Sequence, residues 1–87
     1  MCNAKVTIYT TRFCPFCIRA KSMLDNKSVD YQEIPIDNQP AVRREMIKKS
    51  GRRTVPQIWI NDYHVGGCDE LFSLERMGQL DNLLVNE

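Results

Sequence analysis

The sequence has no apolar run approaching the ~20 residues that a bilayer-spanning helix needs, so a membrane-spanning role is not expected. Its first ten residues, MCNAKVTIYT, contain no basic segment followed by an apolar stretch of signal-peptide length; no export is expected, and a cytoplasmic location is. Aromatic residues are sparse, with one Trp, three Tyr and three Phe. None of them interrupts the basic run RREMIKKSGRR, Arg43 to Arg53, which therefore lacks the stacking groups of a nucleic-acid surface. The four glycines and four prolines are scattered rather than clustered, so neither a linker nor a low-complexity tract divides the chain.

With 87 residues the chain has material for one domain, residues 1–87, and one modest core. Hydrophobic residues at 43% and charged residues at 26% match a folded globular chain and give no support to disorder. The net charge of +1 conceals an asymmetry. Residues 1–53 carry 11 Lys and Arg against 5 Asp and Glu, and residues 54–87 carry 1 against 6, leaving halves of +6 and −5. The basic run fits a solvated helix face first and a small-anion partner second.

Alternation around Val6 and Ile8 predicts a strand over Lys5 to Tyr9. A helix should follow, with Pro15 in its first turn, Cys17, Ala20 and Leu24 on one face, and an end near Asn26. Tyr31 to Ile36 reads as a second strand that Pro35 confines to an edge or an end. Asn38 and Pro40 announce a second helix whose inner face carries Val42 and Met46 and which stops at Ser50 and Gly51. VPQIWIND and YHV should form an antiparallel hairpin turning at Asn61 and Asp62. Asp69 is a candidate cap for a last helical region broken at Gly78, with Leu71, Leu74, Leu80, Leu83 and Leu84 inward. The order β-α-β-α-β-β-α predicts an α/β fold in which the first two strands are parallel.

The thiols carry the chemistry. In TTRFCPFCIRAK, Cys14 and Cys17 fall where a strand ends and a helix begins, the place where open α/β sheets keep their reactive groups. With Cys14 as N-cap and Pro15 as the first helical residue, the N–H groups of Phe16 and Cys17 are free to donate to the Cys14 sulfur. Those donors and the positive end of the helix dipole favour a thiolate. Cys17, one turn inside, should be buried and suited to resolving a mixed disulfide. Spacing alone leaves a redox dithiol and half of a zinc site equally open. A zinc site needs two more ligands, for which only Cys2, Cys68 and His64 are available, and that favours the redox pair.

CPFC after a strand, TVP at Thr54 to Pro56 and GGCD at Gly66 to Asp69, in that order along nearly the whole chain, resemble the dithiol glutaredoxins. The likeness is strongest to the bacterial glutaredoxin 3 type, through GRRTVPQIWI and GGCDEL. The resemblance implies a thioredoxin-like fold, with a four-stranded mixed sheet and helices on both faces. It also implies a glutathione-dependent thiol-disulfide oxidoreductase, with Cys14 as nucleophile and Cys17 as resolving cysteine. Glutathione would be the reducing co-substrate, regenerated by glutathione reductase. Glutathionylated and disulfide-containing proteins would be the substrates, and the enzyme would be a monomer with no metal.

In the family the TVP proline is cis and faces the thiols, and the residue before it pairs through its backbone with the cysteinyl part of glutathione. That assigns the role to Val55, between Thr54 and Pro56. Cys68 and Asp69, the two residues after the Gly-Gly, match the positions that hold the γ-glutamyl end, and Gly67 before them is an expected glutathione contact. Phe16 stands where many relatives have tyrosine, and Thr11 where many carry a basic residue three before the nucleophile. Arg12, Arg52 and Arg53 are the candidates to replace that basic residue at the glycine-end carboxylate, so Arg12, Phe16 and Arg53 join the expected glutathione contacts. Relatives specialised in iron-sulfur clusters usually have one active-site cysteine and no proline after it, so CPFC argues against that role. Trp59 and the helical Met23, Met46 and Met77 are expected to be packing, His64 to have no acid-base task, Cys2 to be a frayed terminal thiol, and Cys68 to contribute backbone.

Overall fold

A computed structural model describes residues 4–84. Cys2 lies outside the described residues. The chain runs β1 (Val6–Thr10), α1 (Pro15–Asn26), β2 (Tyr31–Pro35), α2 (Pro40–Ser50), β3 (Gln57–Ile60), β4 (Tyr63–Gly66), α3 (Cys68–Arg76) and α4 (Leu80–Leu84). The strands form one mixed sheet in the order β2-β1-β3-β4. β1 is parallel to β2 and antiparallel to β3, and β3 is antiparallel to β4.

Alternate side chains of the central strands leave the sheet on opposite faces. Val6, Ile8, Ile58 and Ile60 pack with Ala20 and Leu24 of α1, Leu71 and Leu74 of α3, and Leu80 and Leu84 of α4. Tyr9 and Trp59 point the other way, against Met46, Val42 and Ile47 of α2. Because helices cover both faces, all four residues of β3 are buried. β2 lies at the edge, mostly exposed, and ends on Pro35, where the missing N–H costs no ladder bond.

Helix ends follow local chemistry. α1 starts with Pro15 directly after the N-cap Cys14, and α2 ends at Gly51, whose φ of 74° is left-handed backbone that favours glycine. α3 begins earlier than Asp69 would have it. Its N-cap is Gly67, whose N–H donates to the Glu70 carboxylate at 2.7 Å, and Asp69 falls inside the first turn. A side chain three residues beyond the cap reaches back to the cap amide, whereas Asp69 is too close along the chain to do so. Gly66 has a φ of 113°, and a Cβ there would sit 3.1 Å from the Glu70 side chain, so the approach to this cap needs glycine.

Met46 is fully buried and Met23 packs on the first core cluster, but Met77 is 61% exposed. Met77 is the C-cap of α3, just before Gly78, and there the chain leaves the helix and its inward stripe.

Leu24 is completely buried between α1 and the sheet. Leu24→Ala is expected to destabilise the fold by about 2–5 kcal/mol in urea unfolding, with the slope of the transition unchanged. A loss below about 1 kcal/mol would contradict this packing.

Candidate active site

Cys14 sits between β1 and α1 with extended backbone, φ −106° and ψ 109°, the conformation of an N-cap. The Cys17 N–H donates to the Cys14 sulfur at 3.2 Å, and the Cys14 thiol lies 3.8 Å from the Val55 carbonyl oxygen, which can accept from it. Cys14 is half-buried, while Cys17 is 1% exposed on the inner face of α1. Burial, then its hydrogen bond with Cys14, pushes the Cys17 thiol up to about 12. The two sulfurs, three residues apart, are thus chemically unequal: one is reachable, and the other stays protonated and shielded.

Beside the thiols runs an open groove of roughly 300 Å³. Phe16 of α1 lies along it with Thr54, Val55 and Pro56 of the loop before β3, and Gly67, Cys68 and Asp69 at the start of α3. The Val55-Pro56 peptide bond is cis. Cys68 belongs to the core cluster, and burial pushes its thiol up.

Two expected contacts lie elsewhere. Arg12 borders a separate depression with Lys21, Glu33 and Asp37. Its N–H donates to the Asp37 carboxylate at 3.0 Å, and its guanidinium lies 5.9 Å from the centre of the Phe13 ring. Arg53 does not line the groove, and its carbonyl accepts from Arg43 Nη1 at 3.2 Å. The cation in the groove is Arg52, 3.5 Å from Glu70 Oε2. The Gly67 N–H first, then its own backbone N–H and the Arg52 charge, hold the Glu70 carboxyl below its ordinary range. Glu70 was not singled out in the sequence, although its spacing from Gly67 is that of a cap and its partner.

His64 stacks on Trp59, with ring centroids 4.6 Å apart, and its Nε2 is 2.7 Å from the buried Gln57 Oε1. Burial, then the Arg52 charge, pushes its imidazole down, which favours the neutral ring. Among the described residues no three His, Cys, Asp or Glu side chains gather as a metal site, and no helix is long and apolar enough to cross a membrane.

A mixed sheet that presents a half-buried, reachable cysteine on a helix N-terminus, backed by a shielded second one, defines a thiol-disulfide oxidoreductase. The glutaredoxin family model matches residues 6–65, and the chain belongs to the glutaredoxin family. It is 60% identical over 79 residues to a glutaredoxin of Pseudomonas aeruginosa, covering 91% of this chain and 94% of that one. It is 57% identical over 81 residues to glutaredoxin 3 of Escherichia coli, covering 93% and 98%. The solution structure of a Brucella melitensis glutaredoxin superposes with a TM-score of 0.85 at 48% identity, over 97% of this chain and 91% of that one. A buckwheat glutaredoxin-glutathione complex superposes at 0.87 with 30% identity, over 93% and 76%. The fold is therefore thioredoxin-like, of the glutaredoxin kind.

The burial of Cys17 has a measurable consequence. A thiol shifted up to about 12 in the folded chain but titrating near 8.5 when unfolded adds stability that is complete below the unfolded value and is lost as pH rises toward 12. In Cys14→Ser, where burial persists, iodoacetamide is expected to leave Cys17 untouched up to about pH 10. Labelling at the rate of a free thiol near pH 8.5 would show an accessible Cys17.

Proposed function

We propose that the enzyme reduces glutathione mixed disulfides through Cys14 alone and protein disulfides through Cys14 and Cys17 together. The observation that carries this reading is the Cys14 sulfur, held by the Cys17 N–H and set against Val55 at the side of the groove.

In the one-cysteine route the Cys14 thiolate attacks the glutathione sulfur of a mixed disulfide. The old S–S bond breaks, the substrate leaves as a thiolate, and Cys14 carries glutathione. A second glutathione thiolate attacks that glutathione sulfur, forms oxidised glutathione and releases Cys14. In the two-cysteine route the Cys14 thiolate attacks one sulfur of the substrate disulfide, whose S–S bond breaks and frees the other sulfur as a thiolate. Cys17 then loses its proton to the departing thiolate or to water and attacks Cys14, leaving a Cys14–Cys17 disulfide and a reduced substrate. Two glutathiones return the pair to thiols. The hydrogen bond and charge of Cys14 both hold the Cys17 proton in place. Both are lost once Cys14 is in a mixed disulfide, which eases removal of that proton while burial, the larger cause, persists.

The groove suits glutathione by chemistry. Val55 offers backbone to the cysteinyl part as an added strand would, with Thr54, Pro56 and Phe16 shaping the walls. The N–H groups at the start of α3, from Gly67 to Asp69, suit the γ-glutamyl carboxylate, and the Asp69 carboxylate suits its ammonium. Arg52, which lines the groove, suits the glycine-end carboxylate better than Arg12 or Arg53. The fold of the buckwheat protein seen with glutathione supports the same ligand here. The enzyme works as a single-domain monomer in the cytoplasm, with glutathione reductase regenerating its reductant and no metal taking part.

The test is turnover of a small glutathione mixed disulfide, with glutathione and glutathione reductase in one sample and thioredoxin reductase in another. Only the first is expected to sustain turnover. Cys14→Ser should abolish both routes, and Cys17→Ser should keep the mixed-disulfide route while losing most protein-disulfide reduction. Arg52→Ala should raise KM for the mixed disulfide about three- to tenfold with kcat nearly unchanged, the signature of a contact made equally in ground and transition states. Full activity in Cys14→Ser, or sustained turnover with thioredoxin reductase alone, would overturn the reading.

A further inference from the structure

His64 has no proton to move in thiol exchange, yet it stands at the end of a chain of hydrogen bonds that leads to the groove. Gln57, completely buried, opens β3 directly after Pro56. Its Nε2 donates to the Thr54 carbonyl at 3.0 Å and to the Thr54 hydroxyl at 3.3 Å, and its Oε1 lies 2.7 Å from His64 Nε2. With the amide nitrogen turned to Thr54, the oxygen is satisfied by a proton on His64 Nε2, which fixes the ring tautomer. Turned the other way, the amide would set its oxygen against the Thr54 carbonyl, two acceptors facing each other. The Thr54 carbonyl thus sets which way the Gln57 amide points, and the imidazole, as the donor to Oε1, holds it there.

The ring is itself held. It pairs with Trp59 across β3 and β4 and stacks on it at an interplanar angle of 30°. Tyr9 packs edge-on against Trp59 from β1 with centroids 5.4 Å apart, and Lys49 Nζ of α2 lies 5.1 Å from the Trp59 ring centre. At the far end of the chain, Thr54 precedes Val55, whose carbonyl faces the Cys14 sulfur.

We infer that His64 is a positioning residue for thiol exchange: acting through the Gln57 amide, it holds the Thr54–Val55 backbone in the arrangement that receives the cysteinyl part of glutathione beside Cys14. The inference rests on the reading of Val55 as the docking backbone. A loop already fixed in its bound form spares the ligand the cost of ordering it. Loss of the His64 donor therefore weakens binding while leaving the sulfur chemistry alone.

Two variants separate the donor from the packing. His64→Phe keeps a ring on Trp59 and removes the N–H, while His64→Gln places an amide nitrogen near the position of the imidazole Nε2. In steady-state turnover of a small glutathione mixed disulfide, His64→Phe is expected to raise KM about three- to tenfold with kcat within about twofold, and His64→Gln to restore KM to within about twofold. Without glutathione, the Gln57 side-chain amide protons of His64→Phe, which are bonded to Thr54, should exchange hydrogen faster by a similar factor, and those of His64→Gln should not. Unchanged KM in a folded His64→Phe, or equal losses in both variants, would overturn the inference. If the unsubstituted enzyme does not turn over the mixed disulfide, the glutathione reading fails, and the amide exchange alone decides whether His64 holds the loop. If His64→Phe does not fold, nitrogen-15 resonances of the unsubstituted protein decide it. A proton on His64 Nε2 in slow exchange supports the inference, and the Nδ1–H tautomer overturns it.

Discussion

The first turn of an α-helix has N–H groups that no helical carbonyl can meet, and in α1 the Cys17 N–H is given to a sulfur atom. That 3.2 Å contact ties the Cys14 sulfur to the frame of the helix. It works only because Cys17, the residue supplying the N–H, is locked into the core by its own side chain beside Ala20 and Leu24. Rigidity at the reactive atom is thus borrowed from packing two turns away. The same residue that anchors the nucleophile through its backbone resolves the product through its side chain, so the two thiols cannot be repositioned independently.

The sheet brings the other half of the site to this point. β1 ends where α1 begins, and β3, its antiparallel neighbour, begins at Gln57 opposite Tyr9, so the loop ahead of β3 meets the loop after β1. Gly66 and Gly67 then carry the chain from β4 straight into α3, and a Cβ on Gly67 would sit 3.3 Å from the Pro56 carbonyl. Three loops converge because three strand ends are neighbours. The Glu70 carboxylate, bonded to the Gly67 N–H and paired with Arg52, links the helix start to the basic loop across the groove.

Most of this was legible in the sequence where one residue's chemistry decides a local outcome. Pro15 after Cys14 marks a helix start, Gly51 after Lys48 and Lys49 marks a stop, and the alternation about Ile8 and Ile58 gives strands with two distinct faces. Asp69 reads as the α3 cap because acidic residues favour helix starts, but the reach of Glu70 back to Gly67 decides it, a contest between neighbours that composition does not resolve. Which arginine faces the groove was equally hidden. Arg52 and Arg53 are adjacent and identical in chemistry, and only the turn after Gly51 sends the first of them toward Glu70. Gln57 and His64 are seven residues apart on different strands, and their meeting depends on the register of the hairpin.

The edge strand β2 bears on how these molecules behave toward one another. An open edge offers unpaired backbone groups to any passing strand and so invites self-association. Here the edge is short, it ends on a proline that has no N–H to offer, and it carries Glu33, whose carboxylate is already engaged by Lys21 at 2.9 Å and the Thr10 hydroxyl at 2.7 Å. A second copy approaching this edge would meet a strand of five residues whose last has no N–H to offer. At high concentration, the sheet is thereby protected from growing into a fibre along its parallel side.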